Sequence, residues 1–195
     1  MLAKIVAHGY LRLSGWTFKN QMPPEIRQCV LIAAPHTSNW DALYTKLGFM
    51  VMGIPAKLTI KDSYMRFPYG PAIRAMGGIG INRRAKKEGE HRPSMVQAMA
   101  DLFKQHKELI MLVTPEGTRS LRTEWKTGFY HVAKLAGVPI ALAYVDYPKK
   151  EIGIDRIIYP SDDMARDMKE IMDFYKNIQG KHPHNFSVDT KYLDQ

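Results

Sequence analysis

Residues 29–41 read Cys29-Val-Leu-Ile-Ala-Ala-Pro-His-Thr-Ser-Asn-Trp-Asp41. Cys29 to Ala34 is an unbroken apolar run, and its length suits a strand covered on both faces. Pro35 ends that run. Thr37, Ser38 and Asn39 are residues that start helices by accepting from free backbone N–H groups, and the pattern from Asp41 to Met52 is helical. Strand, tight polar turn and helix form the repeating unit of an open α/β sheet. In such sheets ligands bind at the carboxyl ends of the strands, where this turn lies.

The rest of the chain repeats the alternation. Strands are predicted over 56–61, 77–81, 109–113, 139–147 and 152–159, and helices opening at 94 and running over 127–136 and 162–178. Pro93 and Ser94 open one helix, with Gln97 as capping partner of Ser94. Val96, Met99 and Phe103 form its apolar face. Gly137 closes the next helix. Met164, Met168, Ile171, Met172, Tyr175 and Ile178 stripe the last. Residues 21–27 read as a turn, 62–77 as mixed with a turn at Pro68, Gly70 and Pro71, Asn82–Arg92 as a basic loop, and the tail from Gly180 as polar and loose. The expected fold is α/β: a single domain with a mostly parallel central sheet flanked by helices.

The N-terminus is a separate question. Residues 1–19 read as an amphipathic helix, so a surface helix over 1–20 is set apart from a domain over 21–195. Leu2, Ile5, Val6, Gly9, Leu13 and Trp16 share one stripe, and Lys4, His8, Arg12 and Lys19 gather on another side. Two readings stay open: a helix lying in a bilayer interface, or a stripe packed on the protein's own core.

With 195 residues, 45% hydrophobic and 24% charged, the chain suits one globular domain and excludes disordered or fibrous classes. Net charge is +9, from 28 basic against 19 acidic side chains. That surplus favours an anionic partner: nucleic acid, anionic lipid or a phosphorylated substrate. The single cysteine, Cys29, excludes an internal disulfide and fits a reducing compartment. No signal peptide and no transmembrane helix are expected, since no run of 18 apolar residues occurs.

Three segments carry candidate chemistry. The first is His36 to Asp41. Five residues apart, the two would stand about 140° apart on a continuous helix. With His36 on the turn and Asp41 in the first helical turn, the side chains can meet. A carboxylate on one imidazole nitrogen fixes the tautomer and leaves the other to take a proton; the alternative is a capped helix start with a structural histidine. The second is Gly77–Arg83, followed by Arg84, Lys86, Lys87 and Arg92. Glycines admit a ligand to the backbone and arginine forks fit phosphate, although a solvated basic loop reads the same way. The third is Thr114-Pro-Glu-Gly-Thr-Arg-Ser120. There Glu116 can orient a hydroxyl or hold Arg119, Gly117 permits a tight turn, and Arg119 can bind an anionic head group; a βα turn with a salt bridge is the plainer reading.

In order and spacing these segments resemble the glycerophospholipid acyltransferase family, which includes lysophosphatidate acyltransferases. The matching blocks are His36–Asp41 (His-x4-Asp), Gly77–Arg83, Pro115–Ser120 and Val138-Pro139-Ile140. Three positions depart from the family's habit: Gly80 replaces a bulky residue or Pro, Thr114 a Phe, and Leu142 a second Pro. The resemblance implies transfer of a fatty acyl chain from acyl-CoA or acyl carrier protein to the hydroxyl of a lysophospholipid such as 1-acyl-glycerol-3-phosphate. It implies His36 as general base oriented by Asp41, direct attack without an acyl-enzyme, and Arg83, Glu116, Gly117, Thr118 and Arg119 around the acceptor. Backbone N–H groups near the His36 or Gly117 turn would hold the oxyanion. No cofactor beyond the acyl co-substrate and no metal are implied. The expected location is peripheral, on the cytoplasmic face of the cell membrane against anionic lipid, without nucleic acid.

Other readings keep the chemistry and change the acceptor, to a lyso-amino-acid lipid or a lipid A-type molecule. Two more drop catalysis: a nucleic-acid-binding domain, which lacks aromatics interleaved with the basic loop, and a degenerate lipid-binding protein.

Overall fold

The computed structural model describes residues 2–20, 22–75, 77–81 and 94–193. In chain order the elements are α1 (Leu2–Leu13), β1 (Thr17–Asn20), β2 (Gln28–Ala33), α2 (Asn39–Met52), β3 (Ala56–Lys61), α3 (Gly70–Ala75), β4 (Gly78–Ile81), α4 (Met95–Gln105), β5 (Leu109–Val113), α5 (Gly128–Ala136), β6 (Ile140–Asp146), β7 (Glu151–Ile158) and α6 (Met164–Tyr175). The strands form one seven-stranded sheet in the order β1-β7-β6-β2-β5-β3-β4. From β6 to β4 all pairs are parallel. β7 runs antiparallel to β6, and β1 runs parallel to β7. The four residues between β6 and β7 are too few for the crossover a parallel pair needs, so the strand must fold straight back.

β2 lies at the centre, and its alternation divides the core. Val30 and Ile32 face the layer of α4, α5 and α6, where Met99, Phe103, Phe129, Val132, Met168 and Ile171 pack. Cys29 and Leu31 face the other side, against Phe49 of α2. Both faces of β2 are therefore dry, as its unbroken apolar sequence requires. The parallel strands bring the carboxyl ends of β2, β5, β3 and β6 to one edge. The reversed strands β7 and β1 begin at that same edge.

The N-terminal expectation needs correction. The helix ends at Leu13, and Thr17–Asn20 is a strand of the sheet rather than more helix. Gly15, at φ +83°, adopts the left-handed conformation that stops a helix. Its N–H donates to Arg12 O, and Trp16 N–H donates to Leu11 O, closing the helix end. Trp16 then turns inward to join Leu11, Val145 and Ile152. The remainder of the expected stripe faces outward: Leu2 is 75% exposed, Ile5 61%, Val6 62% and Leu13 92%. Ala7 and Leu11 are the buried side of α1. The boundary at residue 20 is accordingly the end of a sheet strand.

Two further differences bear on the site. The stretch 62–77, read as mixed with a turn at Pro68, Gly70 and Pro71, contains a 3-10 turn over Asp62–Met65 and the helix α3, which starts at Gly70 within the expected turn. The tail is not loose. Asp189 accepts the N–H of Trp125 at 3.1 Å, Trp125 Nε1 donates to Ser187 O at 2.9 Å, and Phe186, Val188 and Tyr192 pack on the core.

Candidate active site

His36 lies in the turn after β2, Ser38 is the N-cap of α2, and Asp41 stands in the first helical turn. The Asp41 carboxylate is buried and fully engaged. Oδ2 accepts the backbone N–H groups of Thr37 at 2.6 Å and Ser38 at 2.7 Å. Oδ1 accepts the hydroxyls of Ser38 and Tyr147, each at 2.7 Å. These donors fill the acceptor positions of a carboxylate and fix its orientation. His36 Nδ1 sits 3.7 Å from Asp41 Oδ2, within ion-pair range and longer than a hydrogen bond. The imidazole thus turns Nδ1 toward the carboxylate and leaves Nε2 for another partner.

Burial pushes the His36 pKa below the ordinary 6.5; the Asp41 charge opposes this shift and the Arg119 charge adds to it. A neutral imidazole with one nitrogen beside a fixed carboxylate can act as a general base at neutral pH.

Glu116 lies beneath this turn. It is 4% exposed, and its Oε1 accepts the backbone N–H of His36 at 2.9 Å. Oε2 is buried with no hydrogen-bond partner among the described residues. Burial raises the carboxyl pKa to about 7, against the lowering effect of the His36 N–H. Glu116 supports the His36 turn and does not pair with Arg119. Arg119, exposed, instead donates through Nη1 to Asn39 Oδ1 at the start of α2. The third motif therefore reaches the first at two points, Glu116 to His36 and Arg119 to Asn39.

Gly117 has φ +65°, and a Cβ there would lie 2.5 Å from Lys126 Nζ. The left-handed backbone of the turn favours glycine, and the Lys126 side chain is drawn across the space its missing Cβ leaves. Thr118 Oγ1 accepts the N–H of Ser120 at 3.3 Å. The N–H groups of His36, Thr37, Ser38 and Gly117 are all engaged within the protein. Those four N–H groups are thus already committed to other acceptors.

The glycine-rich segment is more distant. It forms the edge strand β4, separated from β2 by β5 and β3. Arg83, its expected anion ligand, lies outside the described residues.

Sequence reading missed several contributors. Tyr147 follows the last residue of β6, at the carboxyl-end edge where α/β sheets build sites; that position was its available signal. Lys126 and Asn39 carry no spacing signal. The tail also reaches the site: His182 N–H donates to Thr37 Oγ1 at 3.2 Å, and Lys181 Nζ lies 4.6 Å from the centre of the half-exposed Trp40 ring.

Comparison with known proteins adds two findings. The sequence model of the family described as Acyltransferase matches residues 16–145. The fold is similar to the crystal structure of a 1-acyl-sn-glycerophosphate (LPA) acyltransferase, PlsC, from Thermotoga maritima. That likeness has a TM-score of 0.54 and 16% identity, over 92% of this chain and 80% of that one. No match is found among curated proteins.

Proposed function

We propose that this chain, which belongs to the acyltransferase family, moves a fatty acyl group from a thioester, acyl-CoA or acyl carrier protein, to the hydroxyl of a lysophospholipid such as 1-acyl-glycerol-3-phosphate. The observation that carries the reading is the pair at the β2–α2 turn: a neutral His36 with Nδ1 beside an Asp41 carboxylate that four donors hold still. His36 Nε2 takes the proton of the acceptor hydroxyl as its oxygen attacks the thioester carbonyl carbon. The C–S bond breaks, and the imidazolium returns the proton to the departing sulfur. Asp41 stabilises the imidazolium formed between these events.

Attack is direct. Cys29, the one alternative thiol in the chain, is fully buried in β2, and desolvation pushes its pKa to about 12. The thiolate such a nucleophile needs is therefore scarce. Arg119, with Arg83, Gly117 and Thr118, is assigned to the acceptor head group, because a guanidinium fork suits a phosphate. Lys126, exposed and lying over Gly117, adds a cation to that rim.

The enzyme so read works at a membrane surface. No described helix is long and apolar enough to cross a bilayer. Instead α1 turns Leu2, Ile5, Val6 and Leu13 outward beside the exposed Lys4 and Arg12. An apolar face flanked by cations suits the boundary of an anionic leaflet, where each well-placed cation adds about 1 kcal/mol; the cytoplasmic leaflet is the one we assign.

The test is acyl transfer by purified protein in mixed vesicles. Acyl-CoA and acyl carrier protein donors are each offered with lysophosphatidate and with a phosphate-free lyso-lipid, beside His36→Ala. His36-dependent acylation of lysophosphatidate is the expected result. Transfer confined to the phosphate-free lipid moves the acceptor to a lyso-amino-acid class and frees the arginines for another task. Turnover by His36→Ala at the wild-type rate removes the assigned base.

A further inference from the structure

We propose that Tyr147 is a positioning residue for the acyl transfer: its phenol hydroxyl fixes the Asp41 carboxylate from the oxygen that does not face His36. The inference rests on the function proposed above and adds to it a residue two positions beyond the segment that the family matches, residues 16–145.

Three observations carry it. First, the contact is direct and crosses the fold, since the hydroxyl donates to Asp41 Oδ1 at 2.7 Å from 106 residues away in sequence. The other donors to Asp41, from Thr37 and Ser38, belong to the same turn and move with it. Tyr147 is therefore the group that ties the carboxylate to the sheet. Second, the ring is clamped. Trp16 meets it edge-on at 5.4 Å and 83°, Tyr44 meets it edge-on at 5.9 Å and 86°, and Trp16 and Tyr44 lie 4.4 Å apart. Third, its backbone is held on both sides: Tyr147 N–H donates to Gln179 O at 3.0 Å, and its carbonyl accepts from Lys150 N–H at 3.2 Å. A hydroxyl on so rigid a mount can hold a carboxylate oxygen in place.

The direction of the effect follows from charge. A donor on Oδ1 draws electron density from the carboxylate. Without it, more charge remains on Asp41 to stabilise the imidazolium. Among the described residues, the other titratable or charged groups facing the pair are Glu116 and Arg119 from the β5–α5 connection and Tyr44 from α2, with His182 of the tail adjoining through Thr37. Tyr147→Phe leaves all of these in place and keeps the ring that packs on Trp16 and Tyr44.

Tyr147→Phe is expected to lower kcat by roughly ten-fold or more, to leave the KM for the acyl donor unchanged, and to move the acid limb of the rate profile to higher pH. The same shift is read without substrate by following the His36 imidazole by NMR, its resonance identified by its loss in His36→Ala. The midpoint of that titration should rise in Tyr147→Phe. A midpoint that stays or falls overturns the proposal, because a purely structural tyrosine replaced by phenylalanine has no reason to retune His36. The NMR arm also separates the two claims: an inactive wild type whose His36 midpoint still responds to Tyr147→Phe defeats the assigned reaction and leaves the positioning contact standing.

Discussion

Glu116 Oε1 receives the backbone N–H of His36 at 2.9 Å, across 80 residues of sequence. A carboxyl group buried to this degree costs stability when it ionises. Its folded pKa of about 7 stands above the ordinary 4.5, so between those values the folded protein binds a proton that the unfolded chain releases. The stability linked to that proton is fully present below 4.5 and is lost as the pH rises through about 7. Glu116→Gln keeps an acceptor for His36 and removes the titration. Relative to the wild type, this variant should gain about 3 kcal/mol between pH 4 and pH 8. Urea melts across that range measure the difference, and a gap that does not change with pH refutes the buried titration.

Asp41 and His36 should respond differently to substitution although both are assigned to one reaction. His36→Ala removes a partly exposed ring whose backbone N–H still reaches Glu116. It should cut turnover by about 100-fold or more and leave the urea midpoint nearly unchanged. Asp41→Asn places an amide among four donors. One of its terminal groups then confronts hydrogens instead of accepting them, at a cost of about 1–3 kcal/mol in stability together with the lost rate. Equal stability of the two variants would mean that the donors around Asp41 rearrange freely.

The charge of Arg119 lies close enough to lower the pKa of His36. Replacing it with Gln relieves that effect, so the acid limb of activity, expected below 6.5 in the wild type, should move toward 6.5. If Arg119 also binds the acceptor's phosphate, the KM for the acceptor rises in the same variant while the KM for the donor holds. An unmoved acid limb would separate Arg119 from His36; an unmoved acceptor KM would remove it from the head group.

Much of this arrangement is legible in the residues alone, and the parts that are not share a cause. The run from Cys29 to Ala34 marks a strand buried on both faces, and Pro35 with Ser38 marks where the chain turns into α2. The meeting of His36 with Asp41 follows from that boundary. What spacing does not carry is contact across the sheet. Tyr147 reaches Asp41 only because β6 pairs with β2, and Glu116 reaches His36 only because β5 does. The tail shows the same limit. Its polar residues look unattached until Asp189 is seen accepting from Trp125. The N-terminal helix fails for a local reason: Trp16 fits the helical stripe by spacing, yet Gly15 has already reversed the chain.

The two sides of α1 give the sharpest contrast between stability and surface binding. Leu11 is fully buried against Trp16, Val145 and Ile152, so Leu11→Ala should cost about 2–5 kcal/mol. Ile5 and Val6 are 61% and 62% exposed, and changing both to Ser should alter stability by less than about 1 kcal/mol. Their work is expected at the bilayer instead. In flotation with vesicles containing anionic lipid, the Ile5→Ser, Val6→Ser protein should stay largely in the dense fraction where the wild type floats, and its transfer rate to a vesicle-borne acceptor should fall. Transfer to a monomeric, short-chain acceptor should be preserved, because His36, Asp41 and Glu116 are untouched. Flotation equal to the wild type would show that α1 does not anchor the protein, and would leave its exposed apolar face for a protein partner.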